Sequence, residues 1–522
     1  MNGAPTDELI LAIDCGTQSV RALLVDARGQ ILAKSQMPLD GYFSLQDGWL
    51  EHDAEGFWQS SAEVCRGLWA RHAEMRPRVR AMVVTAQRAT LVPVDAGGRA
   101  LRPFIVWLDQ RRASQGRRCR PWWRAAFRLA GVSGTIDYLS REAELNWIAE
   151  HEAPLLARTH KVLLLSGWLN YRLTGRFADS IGAQVGYLPF DYKHHDWARP
   201  WDWKWQTLPV RREQMPDLVP VGQVIGTLTP AAAQATGLPA GLTVIAAAAD
   251  KACEILGAGA IAPEVAALSY GTTATIDITT PRYLEVTPFF PPYPAALPGQ
   301  YNCEVQIFRG YWMVNWFKEQ FGHLECYAAP GEGVTPEVLF DRLVGTVPPG
   351  SQGLMLQPYW TPGLRNPGPD ARGAVIGFSD VHTRAHLYRA ILEGLAYALR
   401  EGKERIERKS GVPVRVLRVS GGGSQSDAAL QLTADIFQLP AQRPHTFETS
   451  GLGAAIAGAV GLGLHADFPA AVASMTRAGR CFEPNRAHAA LYDELYREVY
   501  CRMYARLGPL YARLQGIFER AR

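Results

Sequence analysis

The chain has 522 residues, 47% of them apolar and 20% charged. That is the balance of an ordinary folded protein of two large domains or three small ones, and it excludes disordered, collagen-like and coiled-coil classes. The formal charge of +4, from 54 basic and 50 acidic residues, is too even for a protein that lives by neutralising nucleic-acid phosphates, so small-molecule chemistry is the default. Eight cysteines are scattered with no Cys-x-x-Cys pair, which indicates neither a disulfide framework nor a zinc site. The first apolar run is too short for a signal peptide or a membrane span, and a cytoplasmic setting is expected.

In chain order, residues 9–13 form a buried-strand run, followed by Asp14-Cys15-Gly16-Thr17-Gln18 and a second apolar run over 20–25. A turn at 26–29 leads to a third strand over 30–35, so the chain opens with an antiparallel meander instead of the strand-then-helix of a dinucleotide fold. Asp53 is placed to cap a helix whose Trp58, Ala62, Cys65 and Trp69 share one face, with a strand over 79–85 after it. Further on, a short strand and four alanines, Ala246 to Ala249, lead to Asp250-Lys251, which reads as a carboxylate ending a strand. Residues 12–20 can be laid over residues 267–275, with apolar strand, Gly-Thr turn (Gly16-Thr17, Gly271-Thr272) and second strand in the same order, so the chain contains two related halves. The proline-rich stretches 287–298 and 348–369 read as long surface loops. A helix is expected over 385–408, with Leu387, Ile391, Leu392, Leu395 and Leu399 on one face, and a strand over 415–419 that runs into Ser420-Gly421-Gly422-Gly423-Ser424 and a further helix.

The chain lacks a Gly-x-x-x-x-Gly-Lys-Ser/Thr loop, a Gly-x-Gly-x-x-Gly opening a first helix, and a His-Glu-x-x-His. What remains is a pair of carboxylates, Asp14 and Asp250, among three glycine turns whose backbone N–H groups suit phosphate oxygens. Phosphoryl transfer needs little more: a metal near the phosphates, donors on the transferring oxygens, and a carboxylate to take the acceptor's proton.

On these residues the chain resembles the FGGY family of carbohydrate kinases over nearly its whole length. Asp14-Cys15-Gly16-Thr17 is similar to the family's first phosphate motif, Gly48-Trp49-Leu50-Glu51-His52-Asp53 to the segment that follows, and Trp107-Leu108-Asp109 with Arg111 to the sugar-side segment. Residues 373–378, His386-Leu387 and Ala390-Ile391-Leu392-Glu393 resemble the second family signature, with Phe378 as a departure. Tyr270-Gly271-Thr272-Thr273 is similar to the second phosphate motif and residues 420–427 to the adenosine motif. The resemblance implies an α/β chain of two actin-like, ribonuclease-H-like domains, divided as 1–252 and 253–522, around a central nucleotide and sugar cleft. It implies ATP and Mg2+, with Asp250 as catalytic base, and Asp14 together with Asp250 at the metal. Thr17, Gly271, Thr272 and Gly310 would line the phosphates, and Gly422, Gly423 and Ser426 the adenosine. The acceptor would meet Gln87, Arg88, Trp107, Asp109, Asp250 and Lys251.

Departures bear on the substrate. Glu144 stands where the family's first signature carries a lysine, and Ala89 replaces the glutamate of the glycerol-kinase segment, which disfavours glycerol. Lys251 follows the base where an amide is usual, and is placed to pair with Asp250, bond a sugar oxygen or meet an acidic substituent. The expected acceptor is a small sugar or polyol, with a ketose such as a ketopentose preferred over a glycerol- or tetritol-type polyol. An actin-like ATPase without a sugar is the rival from another class, and an esterase built on Ala267-Leu268-Ser269-Tyr270-Gly271 is disfavoured because the β-branched residues after it suit a strand, not a helix. The arginines between Arg111 and Arg128, interleaved with Trp122 and Trp123, read as a solvated insert or subunit contact, and His194-His195 as a surface turn. Neither nucleic acid nor membrane is expected as a partner, and a homodimer is compatible with the sequence.

Overall fold

A computed structural model describes residues 7–363 and 367–521. Two large sheets organise it, and the elements used below are labelled in chain order. The first sheet holds β1 (Leu9–Cys15), β2 (Ser19–Asp26), β3 (Ile31–Pro38), β4 (Val79–Ala86), β5 (Val224–Thr227) and β6 (Thr243–Ala246) in the order β5-β6-β4-β1-β2-β3. The second holds β7 (Val265–Tyr270), β8 (Ala274–Thr280), β9 (Tyr293–Pro294), β10 (Tyr301–Ile307), β11 (Val416–Ser420), β12 (Ala441–Pro444) and β13 (Ala478–Phe482) in the order β9-β10-β8-β7-β11-β12-β13.

The two orders are the same pattern. In each, three antiparallel strands come first, the opening strand then pairs in parallel with a later one (β1 with β4, β7 with β11), a second parallel strand follows, and an antiparallel strand closes that side. Parallel neighbours need crossover connections, which the intervening helices supply. Both first hairpins turn over three residues, Gly16 to Gln18 and Gly271 to Thr273, so the internal repeat read from the sequence is a repeat of sheet topology. The chain is thus α/β with two actin-like halves.

Strand chemistry follows burial. β1 is buried at every position and reads as a continuous apolar run, whereas β3 at the sheet edge alternates buried and exposed residues from Ala33 onward. The helix Ala54–Trp69 is capped by Asp53, whose carboxylate accepts from the Gly56 N–H, and it buries Trp58, Ala62, Cys65 and Trp69 as expected. In the second half, the 27-residue helix Arg384–Ser410 packs along the sheet through Leu392, Leu395 and Leu399.

One further core joins the halves. Helix α1 (Asp250–Gly257) and helix α2 (Thr449–Gly461) lie against each other and against β1 and β4, so residues 452–459, carried by the later half, complete a core with Ile10, Ala12, Ala81 and Val83. A division after residue 252 falls inside α1; the first sheet takes its strands from 9–246 and the second from 265–482. Contact between the two helices is through glycine: a Cβ on Gly453 would lie 1.8 Å from the Cys253 carbonyl oxygen, and one on Gly257 2.0 Å from that of Thr449.

Two sequence expectations are corrected here. Residues 287–298 are only partly surface loop: Pro288, Phe289 and Pro298 are exposed, but β9 pairs with β10 and Ala295, Ala296 and Leu297 are buried in the core that α1 and α2 share. Residues 348–369 are only partly loop: Met355–Gln357 is a buried strand, Tyr359 is buried, and residues 364–366 lie outside the described residues.

The glycine contact leads to an expected outcome. Gly453→Val should cost more than about 3 kcal/mol, the upper range for overpacking, because the obstructing atoms are backbone. Thermal unfolding would measure it, and a melting temperature equal to the wild type would refute the packing described.

Candidate active site

A cleft of about 960 Å³ lies between the two sheets. Its lining includes Asp14, Thr17, Gln87, Arg88, Trp107, Asp109, Asp250, Lys251, Gly271 and Thr272, so these sequence-predicted residues share one space. Gly310, Gly422, Gly423 and Ser426 lie outside that lining. Gly310 packs with its Cα against the start of β8, where a Cβ would sit 2.2 Å from the Ala274 nitrogen. Gly423 leaves room for the Tyr311 ring, which stacks on Tyr270 at 4.3 Å. Ser426 caps the helix Asp427–Phe437 by accepting from the Ala429 N–H, and donates to Asp341 at 2.6 Å.

The two carboxylates come from different elements. Asp14 is the penultimate residue of β1, paired across the hairpin with Arg21, whose Nη1 donates to it at 3.1 Å. Burial pushes the Asp14 carboxyl up to about 7, Arg21 opposes the rise, and Asp250 adds to it. Asp250 is not at a strand end: β6 stops at Ala246, and Asp250 opens helix α1 in its first turn. There the helix dipole favours an anion. Burial raises the Asp250 carboxyl above the ordinary range, opposed first by Arg88 and then by Lys251.

Lys251 resolves its alternatives differently from the sequence expectation. Its Nζ pairs with Glu254 at 2.5 Å, one turn along α1, and not with Asp250. Glu254 in turn accepts from Ser420 at the end of β11. Arg88 crosses the cleft to Glu304 on β10 at 3.1 Å and lies over the Tyr293 ring at 5.2 Å. Glu304 stands opposite Asp277 of β8 in the ladder, and burial with the Glu304 charge lifts the Asp277 carboxyl well above its ordinary value. Thr275 satisfies one Asp277 oxygen at 2.8 Å; the other has no partner.

The first half's wall of the cleft is held by hydrogen bonds within that half. Thr17 donates to Gln87 at 3.0 Å and accepts from the Trp107 indole at 2.9 Å, so its hydroxyl ties the first turn to the Gln87 and Trp107 side of the cleft. Asp109 accepts from Leu50 N–H and from three donors of Arg111, which fills the acceptor positions of its carboxylate. Arg111 is 1% exposed at its side chain, pairs with Glu51 as well, and lies between the Trp49 and Trp147 rings. It is therefore no part of a solvated basic face, although Arg117, Arg118, Arg120, Arg124 and Arg128 are exposed as expected. His194 is exposed and pairs with Asp191, and among the described residues no group of three or more His, Cys, Asp or Glu side chains is arranged to hold a metal ion.

Sequence reasoning missed Tyr293, Glu304 and Asp277. A signal was present for the last, since Asp277 is the one charged residue in the buried strand Ala-Thr-Ile-Asp-Ile-Thr-Thr. Tyr293 lay in the proline-rich stretch taken for loop.

Asp14 and Asp250 suit a divalent cation. They are two oxygen ligands in one lining, close enough that the Asp250 charge raises the Asp14 carboxyl, and Mg2+ is commonly held by one or two carboxylates with the rest of its shell from phosphates and water. Buried Arg111 gives a stability test: Arg111→Ala leaves Asp109 without its cation, while Glu51 keeps Arg102, and a loss of about 3 kcal/mol is expected. Chemical denaturation would read it, and a loss under about 1 kcal/mol would mean that the network carries little.

Comparison with known proteins covers the same ground. Residues 9–257 match the N-terminal domain of the FGGY family of carbohydrate kinases and residues 266–462 its C-terminal domain. The chain is 30% identical over 493 residues to "Uncharacterized sugar kinase YgcE" of Escherichia coli, covering 94% of this chain and 92% of that one. It is 28% identical over 517 residues to a xylulose kinase of Staphylococcus epidermidis (98% and 99% covered) and 28% identical over 509 residues to a glycerol kinase of Dechloromonas aromatica (95% and 97%). Among solved structures it is similar to a xylulose kinase from Rhodospirillum rubrum, with TM-score 0.80, 27% identity, and 97% and 100% of the two chains covered.

Proposed function

Because the chain belongs to the FGGY family of carbohydrate kinases, and so is a phosphotransferase with an alcohol group as acceptor, we propose that it phosphorylates a small neutral sugar or polyol, a ketose in preference, from ATP with Mg2+. The observation that carries the reading is the placement of Asp250. It opens a helix in the cleft between the halves, with Asp14 beside it, the two Gly-Thr turns in the same lining, and Arg88 opposite.

Asp250 takes the proton of the acceptor hydroxyl as the hydroxyl oxygen bonds to the γ-phosphorus of ATP and the bond from that phosphorus to the departing ADP oxygen breaks. A buried carboxyl with a raised affinity for protons is a better base than one in water. The turns at Gly16-Thr17 and Gly271-Thr272 direct backbone N–H groups toward phosphate oxygens. A Mg2+ ion, when bound at Asp14 and Asp250, supplies charge neutralisation on the transferring group. Gln87, Arg88 and Trp107 orient the acceptor, while Asp109, saturated by Arg111 and Leu50, shapes the wall behind them. Gly310, Gly422, Gly423 and Ser426 form the nucleotide side, where missing side chains let the backbone and the Tyr311 ring approach.

Ketose is preferred over glycerol because Ala89, in the left-handed region at φ 51, presents no acceptor to a triol. A buried hydroxyl without its acceptor costs about 1 to 3 kcal/mol.

Two outcomes are expected. Asp250→Asn should lower turnover by roughly 10² to 10⁴ while ATP affinity stays near the wild type, since the amide keeps the shape and cannot take a proton. Steady-state kinetics with calorimetric nucleotide binding would check it, and wild-type turnover would remove Asp250 from the role. In a panel of ketoses and alditols, the specificity constant for glycerol should fall below that of the best ketose; ATP hydrolysis unaffected by any acceptor would favour the actin-like ATPase instead.

A further inference from the structure

The acceptor side of the cleft extends away from Asp250. Arg88 acts on Asp250 and lies over Tyr293; Tyr187, also in the lining, is held far above its ordinary range by burial and by the charges around it, which include Glu142, Glu144 and Tyr293. Arg88, Tyr293 and Tyr187 line the cleft with both Asp250 and Glu144, and neither carboxyl is among the charges that act most on the other. Glu144 opens the helix Glu144–His151 and lines the cleft. Its Oε2 is out of solvent and has no hydrogen-bond partner. Its neighbour Glu142 lies 2.5 Å from the Arg112 guanidinium, although its Oε1 makes no well-directed hydrogen bond either, and Asp109 is saturated. A buried polar atom without a partner is costly, and in a cleft a ligand is the natural source of one.

The cations lining the cleft, Arg405 apart, are paired within the chain: Arg21 with Asp14, Arg88 with Glu304, Arg111 with Asp109 and Glu51, Arg112 with Glu142, Lys251 with Glu254, and Lys204 more loosely with Asp202 at 3.5 Å. Arg141, which acts on Glu142, lies outside that lining and bonds the Ala113 carbonyl. Arg405, the further arginine of the lining, belongs to the helix Arg384–Ser410 and acts on Tyr359 at the second half's side. A carboxylate brought beside Glu144 would meet Glu142 and Asp109 with no uncommitted cation among the groups that act on Glu144. An alcohol there meets a matching group, because burial pushes the Glu144 carboxyl up to about 8, so at neutral pH it both donates and accepts.

Resting on the kinase reading above, we infer that Glu144 is a specificity-determining residue at the end of the acceptor site remote from Asp250, taking a distal hydroxyl of a neutral polyhydroxylated acceptor longer than a triol and excluding sugar acids. It is a binding residue and takes no part in the transfer. Gain from this contact falls on acceptors long enough to reach it, whereas glycerol, held near Asp250, gains nothing.

The test measures acceptor binding to the full chain by calorimetry without nucleotide, and kinetics with ATP, using pentuloses, hexuloses, C3 to C6 alditols and the aldonates of matching length. The wild type should bind the best neutral ketose or long alditol at least tenfold more tightly than the aldonate of equal length. Glu144→Ala should weaken that binding, and raise the acceptor KM, by about tenfold to a hundredfold, with kcat and the KM for ATP within a factor of about three. Glu144→Gln, which keeps a donor and an acceptor, should restore most of the affinity, and neither change should alter glycerol binding. Equal affinity for aldonates, unchanged ketose affinity in Glu144→Ala, or no binding of any neutral acceptor would overturn the inference. Tight, Glu144-dependent acceptor binding without phosphoryl transfer would uphold it and overturn the kinase reading alone.

Discussion

The close approach of α1 and α2 through Gly257 and Gly453 is the constraint on which the site depends. Each helix begins at the cleft. α1 starts with Asp250, and α2 starts beside Glu448, which pairs with Lys34 at 2.6 Å and lies 3.5 Å from the Arg21 guanidinium that holds Asp14. With small residues at the crossing, two backbones come near enough that Asp14 and Asp250 of the first half share one electrostatic environment with Glu448 of the second. Larger residues would hold the helices apart and take Asp250 away from Asp14.

That arrangement makes the cleft a store of unfavourable electrostatics. Asp14, Asp250, Glu144 and Asp277 are all lifted by burial, and Asp14 also by its carboxylate neighbour. The fold offsets this with pairs that are local to each wall: Arg21 with Asp14, Lys251 with Glu254, and Arg111 with Asp109 and Glu51. Arg88 with Glu304 crosses between the halves, as do Arg21 and Lys34 with Glu448. Of the buried side-chain atoms left without a hydrogen-bond partner, Gln87 Nε2 and Glu144 Oε2 belong to residues lining the cleft, where ligands arrive, whereas the Tyr397 and Tyr500 hydroxyls belong to the core of the second half.

The sequence by itself determined the sheet elements of both halves. Continuous apolar runs are legible because strands buried on both faces need no alternation, and the Gly-Thr turns mark both hairpins at the same register. Asp14, Asp250 and the Gly271-Thr272 turn were legible for the same reason: each is a polar interruption directly after a run that must be buried. Helix caps such as Asp53 are local chemistry, and they were read correctly.

Only the tertiary structure decided which charges meet. Lys251 chose Glu254 over its chain neighbour Asp250 because a side chain in a helix reaches one turn along, a geometry hidden while Asp250 was taken as a strand end. Arg111 vanished from the basic surface since Asp109, Glu51 and two tryptophans enclose it, and those partners are up to 62 positions away in sequence. Tyr293, Glu304 and the unpartnered Glu144 oxygen became site features through long-range packing of β9, β10 and the helix Glu144–His151 around one cavity. Periodicity records which face of an element is buried; it does not record what lies opposite that face.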